Sequence, residues 1–559
     1  MKSMPFGLRA TAPAALFTAV LIAAAAGSSA SCSKGQETTA TTGSGGSSTG
    51  SGGQGGSTSS ATGSGGEGGL APMIHNDFVA PVLDGDVPAG APGLFGAPGQ
   101  TSGGPCLFEP EIGTLFPRNW LRPRFRFNAA NQENLFEIKI TVPNEQSPLI
   151  IYTRNTTYAL DAATWKLITT LAAGEKLHVT VRSAVESGGA ITAGPFAGTE
   201  GDIEIAPVDA AGTIVYWTTS NGTQLKGFQV GDETVQTVVT PAQGNTQCVA
   251  CHTSTPDGKF VAATASDNPG DGSPGYVRLL SLDGKAAAPA FVTPSAASLL
   301  TRTPQHAPAF SLAHWVQGDH TMLSMMPING RSEITWTDLE ATGTGQGQGW
   351  GIIARTGDDR AASAATMSHD GKTIVYTSAS SSGAGTISTD GALFTVPYAD
   401  RQGGAAQPVA GASEAAYHHF YPSFSADDQL LALNRIPAGQ TSYNNPAAEV
   451  YVVPAAGGTA TRLLANDPPA CLGTKSPGIT NSWPKWSPSV TTVKGKSYYF
   501  LVFSSTRNPG SNGPQLYVSP IVVENGTVTT YAALYLWNQP ELENNHTPAW
   551  DVFKLQPPS

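Results

Sequence analysis

The chain has 559 residues and a formal net charge of −11 at pH 7, with 30 basic and 41 acidic side chains. It contains 64 glycines and 42 prolines, whereas charged residues make up only 13 %. This composition disfavours long helices and coiled coils, and it fits many short strands joined by tight turns. The acidic balance argues against an electrostatic nucleic-acid binder. The length predicts about two to four domains.

The N-terminus has the three regions of a secretory signal peptide. Lys2 and Arg9 precede an apolar stretch at 14–26, and small residues follow at 27–31. After this stretch no apolar run approaches the ~18 residues that a membrane span needs. We therefore expect residues 1–31 to direct export and to be absent from the mature fold.

Cys32 follows the small residues and is itself followed by a Gly/Ser/Thr tract at 38–69. The run resembles a bacterial lipoprotein signal, and this resemblance implies a lipid on Cys32. The tract would then be a flexible tether, and the protein would be held at the outer membrane or in the periplasm by its lipid alone. The alternative is cleavage near Ala30, which would release a free secreted chain. Residues 32–105 are predicted to be linker.

Residues 106–203 contain short β-branched or aromatic runs, separated by turn residues at intervals of about ten. The runs lie at 125–127, 135–140, 149–152, 157–160 and 177–181. Trp165 lies midway and is a candidate core anchor. The pattern predicts a β-sandwich, and it resembles a fibronectin-III or immunoglobulin-type module.

Residues 204–559 repeat. Blocks with a Ser-x-Asp-Gly type of turn before an apolar strand recur in steps of 56 to 64 residues, and the second residues of the blocks are Thr255, Ser311, Ser368, Ser425, Ser487 and Asp551. A degenerate copy lies at 209–212. Each unit holds about four strands, which is the content of a propeller blade. The turn followed by an apolar strand resembles the repeat of TolB-type propellers, over roughly residues 205–555.

The chain ends predict how the ring closes. The last copy, at 548–553, supplies one strand, and the first copy supplies three, so together they complete one blade. Six blades result, or seven if the first copy is complete by itself. The predicted fold is all-β, a fibronectin-III/immunoglobulin-like sandwich followed by a monomeric β-propeller.

Cys248-Val-Ala-Cys251-His252 has the C-x-x-C-H spacing of c-type haem attachment. Two thiols three positions apart can add to the two vinyl groups of one porphyrin, and the adjacent imidazole can then bind the iron. The sequence therefore predicts one haem c on Cys248 and Cys251, with His252 as axial ligand. Two alternatives stay open, namely a local Cys248–Cys251 disulfide and a metal site with further ligands.

The repeat alignment suggests where further iron ligands would come from. His252 falls at the position of a proline in four other blades, Pro308, Pro422, Pro484 and Pro548. His306 and His546 stand two residues before two of these prolines, so the three histidines would share one level near the mouth of the central channel. The candidate sixth ligands are His306, His546, Met325 and Met326. Hydrogen bonds to loop carbonyls, and core packing of the methionines, are the alternatives.

Two cysteines remain, Cys106 and Cys471, and an oxidising compartment would allow them to pair. The one G-x-S-x-G match lies at 46–50 within the Gly/Ser/Thr tract, where no strand-to-helix elbow is expected, and no H-E-x-x-H occurs, so two common hydrolase motifs give no support here. An electron carrier or binding protein is therefore favoured over a catalyst.

The sequence predicts an exported, membrane-anchored propeller with one haem, acting in electron transfer or a redox step with an envelope partner. The alternative is a TolB-like protein-binding scaffold with no cofactor.

Overall fold

The computed structural model describes residues 73–556, except 97–98, 131, 221, 269–274, 384 and 512. The predicted signal peptide, Cys32 and the Gly/Ser/Thr tract therefore lie outside the described residues. In the described part strands predominate, which agrees with the all-β prediction. None of its helices is both long and apolar enough to cross a bilayer.

The N-terminal domain consists of two packed sheets and a helix. Its elements are β1 (Val82–Leu83), α1 (Ala91–Leu94), β2 (Cys106–Glu109), β3 (Leu115–Phe116), β4 (Arg124–Asn128), β5 (Leu135–Thr141), β6 (Leu149–Thr153), β7 (Thr157–Ala159), α2 (Ala162–Leu171), β8 (Lys176–Ser187) and β9 (Ala190–Ile205). One sheet has the order β1-β6-β5-β8-β9-β3 and the other β2-β4-β7. Phe127 and Phe136 join the two sheets, with ring centroids 4.9 Å apart.

Helix α2 and two parallel strand pairs distinguish this domain from a fibronectin-III module, whose sheets are antiparallel. Strand β1 pairs in parallel with β6, and β3 with β9. Asp161 caps α2 by accepting a hydrogen bond from the Thr164 amide at 2.9 Å. Trp165 and Ile168, three positions apart, are buried on one face of α2. Trp165 is thus a core anchor, as predicted, but it lies on a helix.

Six antiparallel sheets follow, and we call them blades 1 to 6. Blade 1 contains β10 (Thr213–Thr218), β11 (Gln224–Gln229) and β12 (Gln236–Val239). Blade 2 contains β13 (Cys248–Ser254), β14 (Phe260–Ser266) and β15 (Tyr276–Ser281), and helix α3 (Pro294–Leu300) follows it. Blade 3 contains β16 (His306–Ala309), α4 (Leu312–Val316), β17 (Thr321–Ile328), β18 (Arg331–Asp338) and β19 (Trp350–Ile352). Strand β20 (Arg355–Thr356) pairs in parallel with β24 (Gly404–Ala405) in a separate two-stranded sheet.

Blades 4 to 6 have the same antiparallel order. Blade 4 contains β21 (Ala361–Met367), β22 (Thr373–Ala379), β23 (Ala392–Pro397) and β25 (Gln407–Pro408), with β24 (Gly404–Ala405) between the last two in the sequence. Blade 5 contains β26 (Tyr417–Phe424), β27 (Leu430–Pro437), β28 (Glu449–Pro454) and β29 (Thr461–Arg462). Blade 6 contains β30 (Ser482–Trp486), β31 (Thr491–Val493), β32 (Lys496–Ser505), β33 (Gln515–Glu524), β34 (Thr527–Thr530) and β35 (Leu534–Tyr535). The last strand, β36 (Asn545–Asp551), returns to blade 1.

Strand β36 closes the ring. It pairs antiparallel with β10, so that Asp551 faces Thr213 and Asn545 faces Thr218. The first strands of successive blades contact one another in the closed order β36, β13, β16, β21, β26, β30 and back to β36. This closure pairs the edge of β10 that would otherwise be free, and it makes β36 the innermost strand of blade 1. It is the joining of the last and first copies that the sequence predicts.

The core lies between the blades. Each pair of neighbouring blades, from the pair 1 and 2 to the pair 5 and 6, has one hydrophobic cluster packed between its two sheets. The gap between blades 6 and 1 shares its cluster with the N-terminal domain. Because blades pack on both faces, central strands such as β14 and β22 are buried almost throughout.

The repeated turn has a direct physical cause. Its first hydroxyl donates to the aspartate two residues later, at 2.6, 2.7 and 2.7 Å in Thr255–Asp257, Ser368–Asp370 and Ser425–Asp427. The next residue takes a left-handed conformation, with φ +72° at Gly258 and 57° at Asp428. The Asp428 carboxylate also accepts from the His369 backbone and ring nitrogens, at 2.9 and 2.8 Å, which ties the turns of blades 4 and 5 together.

The N-terminal domain is fixed to the propeller by a disulfide and a buried ion pair. Cys106 and Cys471 are bonded across a sequence separation of 365 residues. Arg507 of blade 6 contacts Glu111 at 3.3 Å, and both side chains are almost fully buried. The two parts therefore form one packed unit.

Candidate functional site

Each blade's first strand is interrupted by a bulge at the same place. The residues at these bulges, which we call the bulge ring, are Cys251, Ala307, Ala364, Tyr421, Trp483 and Thr547. All but Cys251 have a left-handed backbone, with φ between 47° and 56°. A bulge re-aims side chains that would otherwise continue the strand's alternation. Here the six bulges turn one residue from each blade toward the propeller axis.

Proline explains why the bulges recur. Four members of the bulge ring are followed by Pro308, Pro422, Pro484 or Pro548. Proline cannot donate to the strand ladder and is tolerated at bulges. A residue before proline ordinarily prefers an extended backbone, so the fold must hold these four in a less favoured conformation.

A cavity of about 280 Å³ lies on the axis, close to the lower end of the ~300–1,000 Å³ that small-molecule sites occupy. The whole bulge ring lines it. So does a second ring two residues further along each first strand, Thr253, Ala309, Thr366, Ser423, Lys485 and Ala549. We call this cavity the channel.

One side of the channel is aromatic. The rings of Tyr421 and Trp483 are stacked, with centroids 5.9 Å apart and an interplanar angle of 17°. Tyr443 approaches Trp483 edge-on at 5.9 Å. Behind them the His546 ring lies 5.2 Å from Trp483 and 4.6 Å from Trp217. Flat faces of this kind bind apolar rings by stacking.

One buried polar atom of the channel lining, Nε1 of Trp217, has no hydrogen-bond partner among the described residues. Trp217 is 2 % exposed. Leaving a buried polar atom without a partner costs about 1–3 kcal/mol, so such atoms at a cavity point to a missing ligand or water.

The second ring carries one charge. Lys485 stands among small residues, and it makes no hydrogen bond or ion pair within the described part of the chain. Burial lowers the pKa of Lys485, while Cys251 and Asp551 act in the opposite direction. Cys251 is a free cysteine, and burial raises its pKa although Lys485 lowers it. Lysine and thiol therefore face the same space.

The predicted histidine ligands are separate, buried and neutral. Nε2 of His252 lies 3.1 Å from the Val215 carbonyl oxygen, so a donating N–H fits there. Burial lowers the pKa of His252, His306 and His546 to about 4. His252 and His306 line the channel, whereas His546 packs between tryptophans. Within the described ranges no three His, Cys, Asp or Glu side chains meet at a metal-binding distance. Ligation of a haem iron by these histidines stays a prediction.

The methionines are core residues. Met325 packs in the cluster between blades 3 and 4 and is 1 % exposed. Met326 is buried, and neither side chain is part of the channel lining. The packing alternative is thus the one the structure has.

The cysteine pair does not fit haem attachment in this structure. Cys248 is fully buried and does not line the channel, whereas Cys251 does. The bulge between Val249 and His252 separates the surroundings of the two sulfurs. Cys251 is free in this structure, so its thiol is not bonded to Cys248.

Sequence reasoning placed Cys251, His252 and His306 at the channel but missed Tyr421, Trp483 and Lys485. The aligned prolines mark these three positions in the sequence, because Tyr421 and Trp483 each directly precede one and Lys485 directly follows one. Tyr443 and Trp217 come from outside the first strands, and the repeat alignment carries no signal for them.

No family model matches the chain, and no curated protein matches it. Solved structures do match, at low similarity. A TolB protein from Agrobacterium tumefaciens has 14 % identity and a TM-score of 0.33, covering 60 % of this chain and 97 % of its own. A protein described as a 6-phosphogluconolactonase from Bacteroides uniformis has 15 % identity and a TM-score of 0.33, covering 58 % and 83 %. Hydrazine synthase from Kuenenia stuttgartiensis has 13 % identity and a TM-score of 0.30, covering 51 % and 72 %.

Proposed function

We propose that this protein is an extracytoplasmic binding protein that holds its ligand in the channel of a six-bladed propeller, without haem. One observation carries the proposal. Six equivalent bulges converge on a cavity whose walls combine stacked aromatic rings, a lysine without an ion-pair partner and a buried indole N–H without an acceptor.

Export is supported by two features. The N-terminal sequence has the order of a signal peptide, and a disulfide joins Cys106 to Cys471, as is usual for proteins of oxidising compartments. The lipid on Cys32 stays a prediction within this proposal.

The groups that face the channel suit binding better than catalysis. The acid pKa values of His252 and His306 keep these side chains uncharged near pH 7, and Nε2 of His252 already contacts a backbone carbonyl. Asp551 accepts hydrogen bonds from the Val552 amide at 2.9 Å and from the Thr253 hydroxyl at 3.3 Å. These contacts hold the walls of the channel in place and leave Lys485 and the aromatic faces for a ligand.

Photo-crosslinking from the channel tests the proposal. We would replace Tyr443 with p-benzoylphenylalanine in the full-length chain, irradiate intact cells of the native host and determine the mass of the purified protein. We expect an adduct of discrete mass. The matched control is the same replacement at Tyr417, which is 39 % exposed and outside the channel. Equal labelling at both positions, or no adduct at Tyr443, would overturn the proposal.

A second measurement separates this proposal from the haem hypothesis. The protein is produced in a host that matures c-type cytochromes. We expect no Soret band, and we expect Cys251 to react with N-ethylmaleimide while a Cys251→Ser variant does not. A red protein in which Cys251 is blocked would replace the binding proposal with the electron-transfer one.

A further inference from the structure

We propose that the channel ligand is an anion carried on a flat ring, with the anion against Lys485 and the ring against Tyr421 and Trp483. This inference rests on the proposed function and specifies its ligand class.

The second ring singles out Lys485. Its five other members are threonine, serine or alanine, so one long cationic side chain enters a space that small residues leave open. A buried charge is costly unless an opposite charge or hydrogen bonds compensate it. Cys251 and Asp551 favour the charged form of Lys485, but neither forms a hydrogen bond or an ion pair with it. A ligand that brings an anion would supply the direct partner that Lys485 lacks among the described residues.

None of the other ionisable groups that line the channel pairs directly with Lys485. Asp551 favours the charged form of Lys485 but lies beyond ion-pair distance, and it accepts hydrogen bonds from Val552 and Thr253. His369 is paired with Asp428 at 2.8 Å, outside the second ring. His252 and His306 are uncharged near pH 7 because burial lowers their pKa values to about 4. Lys485 is therefore the one charged side chain of the second ring, and its ammonium has no ion-pair partner among the residues that line the channel.

The aromatic wall supplies the rest of the recognition. The nearly parallel rings of Tyr421 and Trp483 offer flat faces at the bulge ring. Trp483 precedes Lys485 by two residues on the same strand. Aromatic cages often bind cations, but a lysine beside this one opposes that. Nε1 of Trp217 is a further unpaired donor for an anionic or hydroxyl oxygen.

Cys251 provides a reporter inside the channel. We would measure its modification rate with two methanethiosulfonates, the anionic sulfonatoethyl reagent and the cationic trimethylammonium reagent. Each converts the thiolate to a mixed disulfide and releases methanesulfinate. The ratio of the two rates cancels the reactivity of the thiol itself and leaves the effect of local charge.

We expect the anionic reagent to be favoured, and the anionic-to-cationic ratio to fall about tenfold in Lys485→Met. Lys485→Arg keeps the charge and should keep the preference. Lys496→Met is the matched control, since Lys496 lies on β32 with its ammonium 3.7 Å from Glu524, outside the channel. An unchanged ratio in Lys485→Met would overturn the proposal.

Ligand protection distinguishes the two sources of such an anion. Benzoate and glucuronate are each tested for slowing the reaction of Cys251 with N-ethylmaleimide, beside the neutral benzamide and glucose. Protection by benzoate alone indicates an aromatic acid, and protection by glucuronate alone a sugar acid. In either case Lys485→Met should abolish it. Equal protection by the neutral partners, or protection by none of the four, refutes an anionic ligand, while a channel adduct from Tyr443 would still support the proposed function.

Discussion

His546 is predicted to make the propeller acid-labile through its burial and not through ligation. The side chain is 4 % exposed and lies between Trp217 and Trp483, and burial lowers its pKa from 6.5 to about 4. Between these two values the unfolded chain binds a proton that the folded protein does not. The contribution of His546 is thus present above pH 6.5 and is lost as the pH falls toward 4.

The shift sets the size of the effect. A difference of about 2.5 pKa units corresponds to about 3 kcal/mol once both states are protonated, and to about 2.5 kcal/mol between pH 7.5 and pH 4.5. His546→Phe keeps a flat ring between the tryptophans and cannot be protonated. The variant also loses the contact of Nδ1 with the Thr547 hydroxyl, at 3.0 Å. This loss should lower the unfolding free energy by the same amount at both pH values.

Urea unfolding at pH 7.5 and pH 4.5 measures the prediction. The loss of unfolding free energy on acidification should be smaller by about 2.5 kcal/mol in His546→Phe than in the wild type. His178→Gln is the control, because His178 is on the surface with 43 % of its side chain exposed. If both variants lose as much unfolding free energy between pH 7.5 and pH 4.5 as the wild type does, His546 is not held neutral by burial, and the reasoning fails.

Three further predictions concern the way the parts are held together. Replacing both Cys106 and Cys471 by serine removes a link across 365 residues and should cost about 2–5 kcal/mol, visible as a lower melting temperature that no longer responds to reductant; an unchanged melting temperature would contradict it. Arg507→Met leaves Glu111 buried without its cation and should cost about 3–5 kcal/mol by urea unfolding, a loss that Glu111→Leu in the same chain should partly restore. Trp550→Ala removes a 4 % exposed side chain from β36 and should cost about 3–5 kcal/mol, with faster proteolysis at the C-terminus, whereas full protection would show that closure does not depend on this packing.

The propeller was predictable because its signal is repeated. The turn needs a hydroxyl, an aspartate and a residue that tolerates a left-handed backbone, so its chemistry recurs in the sequence at each blade. The pairing of β36 with β10 followed from counting strands at the two ends. Helix α2 was missed because its buried face, Trp165 and Ile168, is too short to show helical periodicity among flanking strands.

The haem prediction rests on a local assumption. The C-x-x-C-H spacing was interpreted as if both thiols faced one cofactor. In a strand, residues three apart point to opposite faces, and the bulge in β13 alters the alternation once more. Cys248 is therefore buried in the blade while Cys251 lies at the channel. Spacing in sequence gives no direction in space until the element that carries it is known.

Lys485 shows what a single sequence does and does not contain. The residue after an aligned proline is small in most blades, and lysine at that place departs from the pattern. The departure is readable from the repeats alone. The meaning of this departure is not readable, because Asp551 accepts hydrogen bonds from Thr253 and Val552 and forms no ion pair with Lys485, and no sequence pattern encodes that arrangement.

Closure of the ring and completion of the channel depend on the same strand. Thr547 and Ala549, which lie in the two rings around the axis, belong to β36. That strand is supported from outside by the N-terminal domain, where the ring centroids of Trp120 and Trp550 lie 5.9 Å apart. A ligand that binds only the closed ring stabilises it in proportion to its occupancy. The N-terminal domain and the ligand would therefore act on one equilibrium, since both stabilise β36 in place, and this gives the domain a role in binding although it does not line the channel.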